Sequence, residues 1–357
     1  MAEWMIYGVS GYTGRLCAEE AVSRGMRPVV AGRNRRRVEA AAAEMGLECR
    51  VFSLSDPQAT SAGLHGMEAV LNCAGPFSAT ARPMLEGCMA SGAHYLDVTG
   101  EISVFEYVRR HDSRWKEGGI TVLPGVGFDV VPTDCMAAML KEALPGATHL
   151  RLAFRSDRGK LSPGTSKTVI EGMGEGSVVR RCGHLERIPL ASLTAEIPFM
   201  SGPRLATAIS WGDVSTAFLS TDIPNIEIYT VLPEKQVRQM RSLDRIRFAL
   251  GWRPVQNFLK RWVEKHVEGP DAEERGADNT ELYGDATEAG VRRVAMAMQT
   301  PNGYSLTFDA AVSATARLLA ENTPPGAQTP STAFGSRFVL GLRGVRCTQP
   351  VAVPLRD

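Results

Sequence analysis

The stretch Trp4-Met5-Ile6-Tyr7-Gly8-Val9-Ser10-Gly11-Tyr12-Thr13-Gly14-Arg15-Leu16 decides the fold. Four large apolar or aromatic residues form a strand, glycines 8, 11 and 14 follow as G-x-x-G-x-x-G, and a helical pattern runs on from Thr13. That spacing meets three physical demands in turn: a tight turn, a backbone that can approach a pyrophosphate, and close packing of helix on strand. Free N–H groups at the helix N-terminus then face the anion. A glycine triplet alone says little, but the strand before it and the helix after it give it meaning. Gly8, Ser10, Gly11, Tyr12, Thr13 and Gly14 are therefore the expected dinucleotide contacts.

Outward from this loop, short apolar runs recur at 28–31, 49–52, 69–72, 94–97 and 120–123, with helical patterns over 13–24, 34–45, 56–63, 79–91 and 101–116. Gly25, Gly46 and Gly92 stand just past three of those helices, where C′ glycines belong. Strands alternating with helices at this spacing predict an α/β, doubly wound parallel sheet. From about Ala147 the rhythm changes. Segments 148–154, 227–231 and 291–296 alternate like half-exposed strands, Asn302-Gly303 looks like a hairpin turn, and Thr307–Glu321 reads as a helix. The expected organisation is a Rossmann domain over 1–146, completed by a returning helix and tail over 306–357, with an α+β substrate or dimerisation domain inserted at 147–305. Gly159 to Gly176 reads as a loop with a short helix.

Strand two chooses the cofactor. An NAD enzyme places Asp or Glu about 20 residues after the glycine loop to hold the ribose 2′-hydroxyl. From Gly25 to Val38 there is no acid, and Gly32-Arg33-Asn34-Arg35-Arg36-Arg37 stands there instead. A guanidinium pairs with a 2′-phosphate and stacks on adenine, so Arg33, with Asn34 beside it, predicts NADP. Short-chain dehydrogenases use similar sheets but need Tyr-x-x-x-Lys. None of the seven tyrosines has Lys four residues later, which excludes that chemistry.

Composition sets the outer bounds. The 357 residues are 44% hydrophobic and 22% charged, enough for two domains with cores of their own. Forty Lys and Arg against thirty-nine Asp and Glu leave +1, which argues against a nucleic-acid binder. Seven scattered cysteines, without CxxC, HxxxH or HExxH, predict reduced thiols and no metal site. Cys182-Gly183-His184, the one close Cys/His pair, reads as strand rather than ligand set. The start lacks a signal-peptide pattern and no apolar run reaches about 18 residues, so the expected location is the cytoplasm.

Four segments together resemble one family. The glycine loop with Ala31-Gly32-Arg33-Asn34, then Asn72-Cys73-Ala74-Gly75-Pro76-Phe77, Tyr95-Leu96-Asp97-Val98-Thr99-Gly100-Glu101, and the segment Pro124 to Asp134 are similar to saccharopine-dehydrogenase-like oxidoreductases. The tail Thr329 to Gly335 resembles that family's closing stretch. Within the family, Gly-Tyr-Thr-Gly looks most like the branch that holds the mycobacterial trans-acting enoyl reductases. The resemblance covers the first 145 residues well and the last 50 loosely. It implies that Ala74, Gly75, Pro76 and Phe77, Val98, Thr99 and Gly100, and Gly127 to Asp129 border the nicotinamide. All three segments follow predicted strand ends, where an open parallel sheet places its ligand.

Hydride transfer also needs a proton source, and the ionisable groups near that border are Asp97, Glu101 and Asp129. Asp97 and Glu101 could equally serve the helix that follows them, and Asp129 the turn before Pro132. The leading expectation is an NADPH-dependent reductase acting on a C=C bond of an acyl or polyketide-like small molecule. Oxidoreduction at a C–N bond is the first alternative, with Arg155, Arg158, Lys160 and Lys167 as clamps for an amino acid. A non-catalytic NADP sensor is the second. Lys235 to Lys265 holds nine basic residues against Asp244 and Glu264, with Pro254 dividing two helices. It suits a peripheral membrane or acyl-carrier contact, or a plain surface helix pair. Oligomeric state stays open, a homodimer included.

Overall fold

The computed structural model describes residues 3–156, 162–172, 174, 176–244, 252–267 and 269–355. Two units divide the chain, residues 1–131 with 304–335, and residues 132–303 with 336–357.

In the first unit, strands β1 (Trp4–Tyr7), β2 (Val29–Gly32), β3 (Cys49–Val51), β4 (Ala69–Asn72), β5 (His94–Asp97) and β6 (Thr121–Leu123) are joined by helices. These are α1 (Tyr12–Ser23), α2 (Arg35–Met45), α3 (Pro57–Leu64), α4 (Phe77–Ser91), and α5 (Ile102–Arg110) with α6 (Asp112–Glu117). Every residue of β1, β2 and β4 is buried, which is why these strands read as continuous apolar runs rather than alternations. Asn34 caps α2 by accepting from the Arg37 N–H, and Asp56 caps α3 ahead of a proline in its first turn. The predicted helix over 101–116 breaks at His111 into α5 and α6.

All pairings in this sheet are parallel, in the order β6-β5-β4-β1-β2-β3, and Gly326–Ala327 adds a seventh strand beside β6. The chain runs outward from β1 to β3 and then crosses to β4 on the other side of β1. That reversal opens a crevice at the carboxyl ends of β1 and β4. The returning helix, Gly303–Ala320, is tied to α1 by an ion pair between Arg24 and Asp309.

The second unit is α+β, built on one mixed sheet. Strands Asn225–Thr230 and His149–Ser156 pair in parallel at its centre, and the remaining pairings are antiparallel. Ala153, Tyr229, Tyr283 and Ala295 fill one face beneath Ile197 and Phe199 of the 194–208 hairpin. On the other face Gly284 leaves room for Met136 and Leu140, since a Cβ there would meet the Met136 sulfur at 2.5 Å. The helix Val131–Ala143 is thus core to this unit, so the first unit ends at 131 rather than 146. Arg346–Cys347 and Val351–Val353 pair with strand Arg292–Pro301, which likewise carries residues 336–357 out of the first unit.

Two turns differ from expectation. Asn302 does not turn a hairpin: it leads into the helix from Gly303 while its amide donates to Asp278 at 2.9 Å. The hairpin precedes it, between Asn279–Glu288 and Arg292–Pro301. Cys182 and Gly183, with φ of 48° and 80°, are the turn of the hairpin Ser177–Arg181/His184–Ile188, not part of a strand. Within Gly159–Gly176 a helix spans Pro163–Gly172, whereas 157–161, with Arg158 and Lys160, lie outside the described residues.

Candidate functional site

The glycine loop is built by contact rather than by side-chain hydrogen bonds. Gly8 has φ +97°, its N–H donates to Ala31 O at 2.8 Å, and a Cβ on it would meet Ala74 N and Cys73 C at 2.9 Å. Only glycine fits there, because that backbone conformation strains any L side chain and the β4 backbone lies against it. The Gly11 N–H closes the turn onto Gly8 O at 2.9 Å, and a Cβ on Gly14 would stand 2.3 Å from the same oxygen. Helix α1 therefore starts as close to β1 as a backbone allows. Gly11 is its N-cap residue and supplies no side-chain cap, so what the helix start offers an anion is backbone N–H groups. Ser10, Tyr12 and Thr13 are half-buried around this turn, and the Tyr12 ring packs edge-on against Tyr304 at 5.2 Å.

At the end of β2, Arg33 is exposed and makes no hydrogen bond or ion pair with the described residues. Its charge lies close enough to Tyr7 to oppose the rise that burial imposes on that phenol's pKa. Asn34 is committed to capping α2, and Arg35 pairs with Glu39 at 2.9 Å. Arg33 is thus the guanidinium at the end of β2 that no described residue engages. Together the cradle a Cβ would fill, the helix start without a side-chain cap and Arg33 fit an NADP dinucleotide.

The loop after β4 is sewn down from both sides. Asn72 Oδ1 accepts the Ala74 N–H at 3.1 Å, and the Thr80 hydroxyl donates to Ala74 O at 2.6 Å. Gly75 is exposed, the Gly75–Pro76 peptide is cis, and Phe77 is buried. Glu101 does not serve its own helix. Its carboxylate crosses to α4, accepting the Phe77 N–H at 2.8 Å and the Ser78 N–H at 2.6 Å, while its own N–H donates to the Thr99 hydroxyl at 3.0 Å. This acid anchors the loop after β4 to the loop after β5.

Asp97 is equally occupied. Oδ1 accepts from the Thr99 and Gly125 N–H groups, each at 2.9 Å, Oδ2 accepts from the Tyr95 hydroxyl at 2.6 Å, and the residue is sealed from water. Burial pushes its pKa up to about 6 against the pull of those three donors. It fixes Val98-Thr99-Gly100 to the loop after β6 and has no free face for a substrate.

Asp129 differs from both. It is half-buried, no hydrogen bond or ion pair from the described residues engages it, and the loss of water pushes its pKa up to about 6. Its carboxyl lies directly on the Val98–Gly100 loop: a Cβ on Gly100 would come within 2.6 Å of Asp129 Oδ2. The preceding turn is held by the Phe128 N–H donating to the Thr307 hydroxyl at 3.0 Å. Cys73, in the neighbouring loop, is kept a thiol by the hydrogen bond with Cys17 and by burial. The structure thus brings the β1, β4, β5 and β6 loops to one end of the sheet, where Asp129 is the acid that no described residue engages. Tyr304 and Thr307 had no local signal, since they arrive from the far end of the sequence. Among the described residues no group of three His, Cys, Asp or Glu is placed to hold a metal, and no helix is long and apolar enough to cross a membrane.

Residues 4–123 match the family profile of the saccharopine dehydrogenase NADP binding domain. A saccharopine dehydrogenase-like oxidoreductase of Homo sapiens is 28% identical over 214 residues, covering 52% of this chain and 50% of that protein. A Mycobacterium tuberculosis protein that carries a trans-acting enoyl reductase name is 27% identical over 186 residues, covering 48% and 44%. The chain thus spans about half the length of the curated relatives it matches. In fold it resembles saccharopine dehydrogenase (L-Glu forming) from Saccharomyces cerevisiae, with a TM-score of 0.67 and 11% identity over 99% of this chain and 100% of that one. Residues 4–123 are a saccharopine dehydrogenase-type NADP-binding domain.

Proposed function

We propose, on the premise of that NADP-binding domain, that the chain is an NADPH-dependent oxidoreductase that reduces a C=C bond of an acyl or polyketide-like substrate, with Asp129 as its proton donor. The observation that carries the reading is the position of Asp129: an acid without partners among the described residues, its pKa pushed up to about 6, against the loop 98–100 that in this reading borders the nicotinamide. Bound NADPH supplies a hydride from nicotinamide C4. Asp129 in its protonated form delivers the proton that the adjacent carbon needs, and a pKa near the working pH lets it give and regain that proton. Glu101 and Asp97 act as positioning residues, holding the loops 74–78 and 98–100 at the reacting edge. Arg33 selects the phosphorylated cofactor.

The C–N alternative asks for cationic clamps on an amino-acid substrate. Arg155, the first candidate clamp, is held by Ser201 and by Glu281 at 3.8 Å, which favours the C=C reading. The test is NADPH consumption against a panel of α,β-unsaturated acyl thioesters and of imines, with wild type and Asp129→Asn. Turnover of the thioesters, reduced about 10²–10⁴-fold in the variant, is expected. Turnover of imines alone would move the assignment to C–N chemistry. Tight NADP binding with no turnover of either class would make the chain a sensor.

A further inference from the structure

The helix Glu234–Asp244 and the helix Arg253–His266 flank residues 245–251, which lie outside the described residues and include Arg245 and Arg247. Over 234–267 the sequence holds nine of the chain's forty basic residues and three of its thirty-nine acids. This tenth of the chain carries +6, while the rest of the molecule carries −5. The first helix buries none of its residues, with Lys235, Arg238 and Arg241 exposed along it. The second packs on helix Pro163–Gly172 and buries Val263. It leaves three of its largest apolar side chains in water: Trp252 is 65% exposed, Phe258 69% and Trp262 51%. Phe258 and Trp262 lie one turn apart on one side, Arg261 is exposed next to them, and His266 stacks on Trp262 at 4.8 Å.

We propose that the helix Arg253–His266, with Trp252 at its start, is an interfacial docking surface for an anionic phospholipid membrane, on which the chain rests without crossing it. Two independent features point to this occupant. The segment's charge is opposite in sign both to such a surface and to the rest of the molecule, which orients the protein as it approaches. Trp and Phe rings exposed beside cations match the headgroup level of a bilayer, where one end of an indole is wet and the other apolar. A 14-residue helix is too short to span and suits lying in the plane of the interface. An acidic carrier protein would satisfy the cations but would leave the three rings without a medium.

Sedimentation of the full chain with vesicles tests the idea, using phosphatidylcholine alone or mixed with phosphatidylglycerol. We expect at least tenfold tighter binding to the anionic vesicles in 0.1 M salt. That preference should be lost in 1 M salt, as the screening length falls from about 10 Å to about 3 Å. Tryptophan emission should shift to the blue on binding. Trp252→Ala with Phe258→Ala and Trp262→Ala, and separately Lys260→Glu with Arg261→Glu, should each weaken binding at least tenfold with the melting temperature unchanged. Trp252→Phe with Trp262→Phe should keep binding and lose the emission shift. Wild-type chain that ignores anionic vesicles at low salt overturns the proposal, as does a triple alanine variant that still binds them. So would self-association through these rings, or capture of an acidic carrier protein, with no vesicle binding.

Discussion

Glu101 and Phe77 are joined across two loops, with the Glu101 carboxylate accepting the Phe77 backbone N–H at 2.8 Å. The second carboxylate oxygen takes the Ser78 N–H at 2.6 Å, so one acid from the β5 side caps the helix on the β4 side. Its negative charge sits at the positive end of α4, as a capping side chain's does, but it comes from 24 residues downstream instead of the N-cap position. Pro76 holds the N-cap position and has no side-chain oxygen to offer.

Glu101→Ala should therefore cost about 1–2 kcal/mol of stability and weaken NADPH binding by loosening the 74–78 loop. Glu101→Gln, which keeps one acceptor oxygen, should recover part of both losses. Thermal melts and calorimetric titration of the two variants check this; an alanine variant with wild-type affinity for NADPH would detach the cap from the cofactor site.

Arg33→Ala should narrow the preference for NADPH over NADH by about ten- to a hundredfold, equivalent to losing one charge-assisted hydrogen bond. The melting temperature should not move, because the side chain is exposed and makes no hydrogen bond or ion pair with the described residues. Equal affinities for the two cofactors in the wild type would show that strand two does not make the choice.

Gly14 and Gly11 should respond differently to the same methyl group. A Cβ at Gly14 would stand 2.3 Å from Gly8 O, so Gly14→Ala must push α1 off β1 and should cost about 1–3 kcal/mol together with cofactor binding. At Gly11 the same atom would sit 3.3 Å from that oxygen on ordinary extended backbone, φ −89°. Gly11→Ala should fold with near-normal stability and still bind NADPH poorly, because the methyl occupies the approach of the pyrophosphate. Two variants with matched melting temperatures and matched affinities would refute the division of roles.

The first unit was legible because its signals are local. A glycine triplet between a buried strand and a helix acts within a few residues of itself, and the missing acid after β2 pointed to NADP. Asn34, expected beside the cofactor, instead caps its own helix. The roles of the acids were not legible. Whether a carboxylate caps a neighbouring helix, ties two loops together or meets no described partner depends on which loop lies across from it, and Glu101, Asp97 and Asp129 give these three answers in turn. The boundaries of the second unit were hidden for the same reason. The helix 131–143 continues the rhythm of the first unit in sequence, but Met136 and Leu140 spend their apolar surface on Gly284, roughly 150 residues away.

Asp97 and Asp129 share a pKa of about 6 and should part company when mutated. Each carboxyl has a folded-state pKa above its unfolded value of 3.8, so the folded state holds the extra proton between those limits. Stability contributed by each therefore falls as pH rises from about 4 to about 6 and stays lower above that range. Asp129 is half-buried, and no hydrogen bond from the described residues replaces the water it has lost. Asp129→Asn should raise stability at pH 7–8 by about 1–3 kcal/mol, with the gain vanishing near pH 4, where the wild-type acid is protonated as well. At Asp97 the carboxylate satisfies the N–H groups of Thr99 and Gly125 and the Tyr95 hydroxyl, and Asp97→Ala would strand all three in a buried site. That variant should lose about 3 kcal/mol or more at every pH. Reduction catalysed by the wild type should slow as pH climbs through about 6 and Asp129 loses its proton, and Asp129→Asn should flatten that limb while lowering the rate. Melting curves from pH 4 to 8, set beside the pH–rate profile, decide the matter: an Asp129→Asn variant less stable than wild type at pH 8 would mean that this acid is structural after all.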